Sequence, residues 1–263
     1  SFGRGRRIGD PVVFSVVAFL SGVGLAEVLR LDPGLAARQV GHLALGVATM
    51  SALVAFTPEV RVFEKYRFVA AATSCVLLAS TIFFGVEVGG ARSWLDLGFV
   101  AVQPSEAAKV LMVMFYAGYL KDTRALLKRS SRRLLGILLP DLSYAGPLVL
   151  MWGLALVLLV FQRDLGAAVL FFGVFLVMLY AASGRASYVA GGAVLLALGA
   201  AACAWFFPHV KARFTVWLDP WRFMDSTGYQ AVQSMFAVAA GGIIGVGPGR
   251  GMPNVIPAAP TDF

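Results

Sequence analysis

Charge is scarce in this sequence: Asp, Glu, Lys and Arg make up 14% of its 263 residues, against ~25% in an ordinary soluble domain. Apolar residues make up 59% and the mean hydropathy is +0.80. The apolar residues fall in long blocks with the charges between them, which excludes both a soluble globular domain and a disordered chain. Histidine and cysteine are nearly missing too. His42 and His209 have no serine or carboxylate at motif spacing, which argues against a nucleophile triad. Cys75 and Cys203 both lie inside apolar runs and make neither a disulfide framework nor a zinc site. Gly245-Val246-Gly247-Pro248-Gly249 lacks the Lys-Ser/Thr that completes a phosphate loop. There is no fixed-period repeat, heptad run or linker between soluble domains. The net charge of +8 would raise the question of nucleic acid in a soluble protein. Here the cations sit in short loops beside apolar runs, so they set orientation and no nucleic-acid partner is expected.

What is present is a series of spans. Seven stretches qualify: Pro11–Leu29, Val40–Phe56, Phe68–Phe84, Ala107–Leu120, Leu142–Phe161, Leu165–Ala182 and Tyr188–Phe207. The spacing predicts an all-α polytopic transmembrane bundle, a single membrane domain over residues 1–263. The first run follows Arg4, Arg6 and Arg7 and continues at full length, so it reads as a true first helix, not a cleaved leader. With the N-terminus inside, the inner segments hold thirteen cations and the short outer loops four, Arg30, Arg38, Arg92 and Arg163. That asymmetry predicts a cytoplasmic N-terminus and an outer segment 208–263. Within that segment Ala231–Gly247 is uncharged but glycine-rich and weakly hydrophobic, which predicts a surface-lying or re-entrant helix near 229–247. If it crosses instead, the residues after it return to the cytoplasm.

Three outer segments place charge where the membrane makes charge costly. In Gln103-Pro104-Ser105-Glu106-Ala107-Ala108-Lys109, Pro104 suits the first helical position and Glu106 the first turn. Glu106 and Lys109 share a helix face, and Lys109 should turn inward and find a carboxylate. Asp164, in the turn Gln162-Arg163-Asp164-Leu165-Gly166, is the first-choice partner and Glu106 the second. A structural ion pair and a charged cavity lining are both open for Lys109, as are a solvated turn and a cavity role for Asp164. The third segment carries Arg213, Trp217, Asp219-Pro220-Trp221, Gly228-Tyr229-Gln230 and Thr261-Asp262-Phe263. Its tryptophans fit an interfacial belt. Acid–base work has to fall to carboxylates, the outer ones being Glu87, Asp96, Glu106, Asp164, Asp219, Asp225 and Asp262.

With Gly90-Ala91-Arg92-Ser93-Trp94, Gln233-Ser234 and Gly241-Gly242, these segments in this order resemble the SEDS proteins (shape, elongation, division and sporulation), the RodA/FtsW family. The resemblance covers roughly Pro11 to Phe263. It implies a peptidoglycan glycosyltransferase that polymerises lipid II at the outer face of the bacterial cytoplasmic membrane, in elongation or division, with a class B penicillin-binding protein as partner. It carries the family's essential aspartate onto Asp262 and its cavity positions onto Arg92, Trp94, Glu106, Lys109, Asp164 and Gln230. Pro260 stands where the family usually has His, and the family has ten spans where seven are counted here, so about three more helices are expected after Phe263. Transfer from a lipid pyrophosphate then needs a base, for which Asp262 is the choice, and cations for the leaving group, for which Arg92 and Lys109 stand out. A divalent cation, magnesium or manganese, would suit the same chemistry, but no ligand cluster marks one. Two other functions fit the same spans: a lipid II flippase, whose path would use the Lys/Glu/Asp set, and a non-catalytic scaffold for the penicillin-binding protein.

Overall fold

The computed structural model describes residues 11–56, 64–88, 90–98, 101–129, 131–134, 137–140, 142–247 and 250–252, and of 11 and 128–144 the backbone only. The chain divides into two compact units, residues 59–202 and residues 1–58 with 203–263.

The first unit is built on α3 (Arg67–Phe84), α4 (Pro104–Arg129), α5 (Leu142–Phe161), α6 (Leu165–Ser183) and most of α7 (Ala186–Phe206). α4 lies at its centre and packs on α3, α5 and α6. Phe115, Tyr116, Met112, Leu78, Leu148 and Phe171 are at most 2% exposed and form the middle of the core. Polar side chains stitch these helices. Ser74 Oγ donates to Ala108 O at 3.0 Å, and Arg67 donates to Gly118 O at 3.0 Å and pairs with Asp122. A hydroxyl or guanidinium between helices must find a partner inside the protein, and a backbone carbonyl is always present. Gly118 has no Cβ because the Arg67 side chain would lie 3.3 Å from it.

Between α3 and α4 the chain makes a three-stranded antiparallel meander, β1 (Val86–Val88), β2 (Ala91–Asp96) and β3 (Ala101–Val102), with Val86 opposite Trp94 and Leu95 opposite Val102. After α4 comes the hairpin β4 (Ser131–Leu134) and β5 (Ile137–Pro140). The sequence predicted helices joined by loops, and both small sheets are additions to the all-α expectation. β2 carries Arg92 and packs on α3 and α4.

The second unit holds α1 (Pro11–Leu31), α2 (Pro33–Phe56), α8 (Pro208–Leu218), a 3₁₀ turn at Trp221–Phe223 and α9 (Tyr229–Gly241). α2 starts seven residues before the predicted Val40, because Asp32 Oδ1 accepts the Gly34 and Leu35 N–H groups at 2.7 and 3.1 Å and caps it. A cap carries a helix through the polar Arg38-Gln39 that hydropathy alone reads as loop. α4 likewise runs past the predicted 107–120 at both ends. α9 has 13 residues, a rise of ~20 Å against ~30 Å of hydrocarbon. By itself it falls short of the hydrocarbon thickness. Gly228 precedes it, and a Cβ there would come within 2.6 Å of Pro220 O and 2.8 Å of Phe223 O. Only glycine lets the turn close on itself at that point.

Among the described residues α1, α2, α3, α6 and α7 are long and apolar enough to cross a membrane. α4 misses that description because Glu106, Lys109, Lys121, Asp122 and Arg124 lie on it, and α5 because its apolar run with described side chains is Ala145–Phe161.

Candidate functional site

The predicted site residues of residues 59–202 gather at one end of α3, α4 and α6. α4 begins at Pro104, as the sequence predicted, with Glu106 in its first turn. Lys109 Nζ bonds Glu106 Oε1 at 2.7 Å. The ammonium therefore takes the second-choice partner. Asp164, the first choice, is committed elsewhere: it is the N-cap of α6, accepting the Ala167 N–H at 3.0 Å. An aspartate one residue before an apolar helix satisfies an otherwise orphaned N–H, and that local bond competes with a distant ammonium. The Lys109 side chain is 25% exposed and that of Glu106 61%, so the pair is a half-wet one at a crevice mouth. Lys109, Met112, Tyr116, Phe171 and Val174 line that crevice, between α4 and α6.

Arg92 is held at the end of α3. Its Nε donates to Gly85 O at 2.9 Å and its Nη1 to Ile82 O at 3.4 Å. Those carbonyls close the helix's negative pole, where a cation is favoured. Two of the five guanidinium N–H groups are used in this way. Trp94 follows on β2, half-buried.

The tie between these pieces is Gln162, which the sequence quoted only as part of a turn. It is 1% exposed; its side-chain Nε2 donates to Leu78 O at 2.7 Å and its main-chain carbonyl accepts the Arg92 N–H at 2.8 Å. One buried residue thus fastens β2, α3 and the α5–α6 turn together, through its side chain and its backbone. Among the described residues its Oε1 has no hydrogen-bond partner, and neither has the buried Ser105 Oγ. The next residue, Arg163, takes φ 61°, a left-handed conformation that lets the chain reverse before Asp164 caps α6. The signal for Gln162 was its being a lone amide at the end of an apolar run, where it has to bond inside the protein.

Gln230 lies in the other unit, exposed in the first turn of α9, its carbonyl accepting Ser234 Oγ at 2.8 Å. Asp262 lies outside the described residues. Among the described residues no group of three or more His, Cys, Asp and Glu could hold a metal ion.

Residues 10–263 match the model of the cell cycle protein family of FtsW, RodA and SpoVE. The chain belongs to this family. Among curated FtsW/RodA/SpoVE relatives, the peptidoglycan glycosyltransferase RodA of Mycobacterium tuberculosis is 36% identical over 269 residues, covering 97% of this chain and 57% of its own length. A probable peptidoglycan glycosyltransferase FtsW from Thiomicrospira cyclica is 31% identical over 272 residues, covering 98% of this chain and 66% of its own. The chain thus spans somewhat more than half the length of the curated RodA it matches. Among solved structures, a chain of a peptidoglycan synthase complex, described for its coordination of polymerization and crosslinking, superposes with a TM-score of 0.67 at 28% identity, covering 90% of this chain and 67% of that one. The family and the apolar helices together make this a polytopic, multi-pass membrane protein with a helical fold.

Proposed function

We propose that the protein is a peptidoglycan glycosyltransferase that polymerises lipid II at the outer face of the bacterial cytoplasmic membrane, with a class B penicillin-binding protein as its cross-linking partner. The observation that carries this is the family match over residues 10–263 together with relatives named peptidoglycan glycosyltransferase. The partner is supported by the likeness to a chain of a synthase complex that polymerises and cross-links. The seven segments cross the membrane with the N-terminus in the cytoplasm and residues 208–263 outside, as the cation asymmetry requires.

Glycosyl transfer from a lipid diphosphate separates charge: the attacking hydroxyl must lose a proton and the departing diphosphate gains negative charge. Asp262 takes the proton. Lys109 and Arg92 neutralise the diphosphate, Lys109 with the donors left after Glu106 and Arg92 with those left after Gly85 and Ile82. Glu106 orients Lys109 through their 2.7 Å bond, Asp164 fixes the start of α6, and Trp94 and Gln230 offer a ring face and an amide to the sugars. A magnesium or manganese ion would share the diphosphate charge if one is recruited with the substrate.

The test is glycan-strand formation from lipid II by the purified full chain. Asp262→Asn keeps a helix-capping oxygen and removes the base, so turnover should fall by ~10²–10⁴ with folding unchanged. A variant that polymerises at the parent rate would reduce Asp262 to a cap. A parent protein that moves lipid II across vesicles without joining it would establish the flippase reading instead.

A further inference from the structure

α8 carries an apolar face that nothing described covers. Phe214, Trp217 and Leu218 are 42%, 74% and 73% exposed, while Val210 on the same helix is 3% exposed and anchors it. The ring of Trp217 does not swing freely: Phe214 meets it edge-on, 6.2 Å between centroids at 84°. Arg213, Phe214 and Trp217 together line an open cleft, two aromatic walls with a guanidinium at the edge. Lys211 lies half a turn before Arg213, and α8 has no acidic residue. The next carboxylate along the chain, Asp219, ends the helix and accepts the Arg222 N–H at 3.3 Å.

Position decides what such a face meets. α8 follows α7 directly through Phe207, with Pro208 at its first position, and α7 is long and apolar enough to span. A helix of 11 residues, ~16 Å long, that follows a span at once is too short to cross again and starts at the membrane surface. There an aromatic and leucine face sinks toward the acyl chains while basic side chains stay at headgroup level. A guanidinium at that level, on a helix that carries no acid, selects negative headgroups.

We infer that α8 is a seat for an anionic phospholipid: Arg213 holds the phosphate-bearing headgroup, and the Phe214–Trp217 cleft takes the first methylenes of an acyl chain. The seat does not depend on the glycosyltransferase reading or on which face of the membrane α8 occupies. A cleft with one guanidinium and two ring walls fits a phosphodiester with its chain better than it fits a zwitterion, whose ammonium would meet a like charge.

The test uses the full chain in lipid nanodiscs. Trp217 emission is isolated as the difference between the parent and Trp217→Phe, and brominated phosphatidylglycerol or brominated phosphatidylcholine is added at equal mole fraction. Both lipids should quench Trp217, the anionic one with an apparent preference of about fivefold for each charge engaged. Arg213→Gln should abolish most of the preference yet leave the quenching, because the rings still sit in the chain region, and Arg213→Lys should restore it. Circular dichroism and elution volume of each variant establish that it is folded. Absence of quenching by either lipid, or a preference unmoved by Arg213→Gln, would overturn the proposal. Displacement of brominated phosphatidylglycerol by an equimolar polyprenyl diphosphate would also overturn it, since the seat would then belong to a substrate-type lipid.

Discussion

α1 and α3 are both apolar helices of about five to six turns, yet 6% of the spanning stretch of α1 is buried and 33% of that of α3. The buried helix is the less hydrophobic one. α3 places Ser74, Cys75 and Thr81 on its covered face, where Ser74 bonds the carbonyl of Ala108 on α4; α1 keeps Phe14, Phe19 and Leu20 exposed by 60% or more. In lipid a large apolar side chain gains little from moving against another helix, because the tails are as apolar as the protein. Close approach and shared hydrogen bonds gain more, so small and weakly polar residues mark the packed helices and bulky apolar ones mark the uncovered surface.

The sharpest way to break this contrast is a matched pair of truncations. Phe115, fully buried on α4, sits 5.8 Å from the Phe68 ring and 5.7 Å from that of Tyr119. Phe115→Ala should cost ~3–5 kcal/mol through the cavity it opens. Phe14→Ala on α1 removes the same atoms from a ring that is 61% exposed and should fall within ~0.5 kcal/mol of the parent. Equilibrium unfolding in mixed micelles measures both. Equal costs would mean that α1 packs as deeply as α4.

The parts of the fold legible in the sequence were those set by one-dimensional quantities. Apolar blocks of 14 to 20 residues located the first seven helices, and Pro104 with Glu106 located the start of α4. The misses came from bonds between distant residues. Nothing near Gln162 in sequence announces that its amide reaches Leu78, 84 positions away. Likewise the meander at 86–102 depends on Val86 finding Trp94, a pairing that three-residue strands scarcely signal. The sequence expectation pairs Asp164 first with Lys109, but a cap bond to the N–H three residues ahead takes its carboxylate instead. The reverse held for Asp32, whose capping bonds extend α2 by a full two turns.

A smaller effect sharpens the same comparison within one helix. On α7, a Cβ at Gly192 would run into the Leu176 side chain, its Cγ 3.0 Å away, whereas nothing lies within 4 Å of a Cβ at Gly199. Gly192→Val should therefore destabilise by ~1–3 kcal/mol, less if Leu176 changes rotamer. Gly199→Val, at an exposed position two turns further along the same helix, should stay near the parent or gain slightly, since valine restricts the unfolded chain more than glycine does. If the two valines cost the same, helix propensity would be setting the result and the close approach of α6 and α7 would not.

The smallest expected change in stability belongs to the pair with the most chemistry in it. A lysine on a helix that the sequence predicts to span invites the expectation of a buried ion pair, whose broken half costs ~3–5 kcal/mol. The observed pair does not meet that description: Glu106 is 61% exposed and only three residues from Lys109 on one helix. An i,i+3 pair with one wet partner contributes ~0.2–0.5 kcal/mol. Glu106→Gln keeps the shape and an acceptor oxygen, so its unfolding midpoint should lie close to that of the parent. Lys109→Met also leaves no unpaired charge in the crevice, because Glu106 faces water, and it should cost less than ~1 kcal/mol. If Lys109 neutralises a diphosphate, however, the same Met variant loses a charge-assisted contact made in the transition state, a penalty of ~1.5–3 kcal/mol in activation, or about 10- to 150-fold in kcat/KM. Packing residues such as Phe115 should show the opposite balance, a large loss of stability with turnover per folded molecule nearly intact. Measuring unfolding and lipid II polymerisation on the same preparations of Lys109→Met and Phe115→Ala separates the two: a Lys109 variant as unstable as Phe115→Ala, with normal turnover per folded molecule, would make Lys109 a structural element of the bundle and move the diphosphate contact to Arg92.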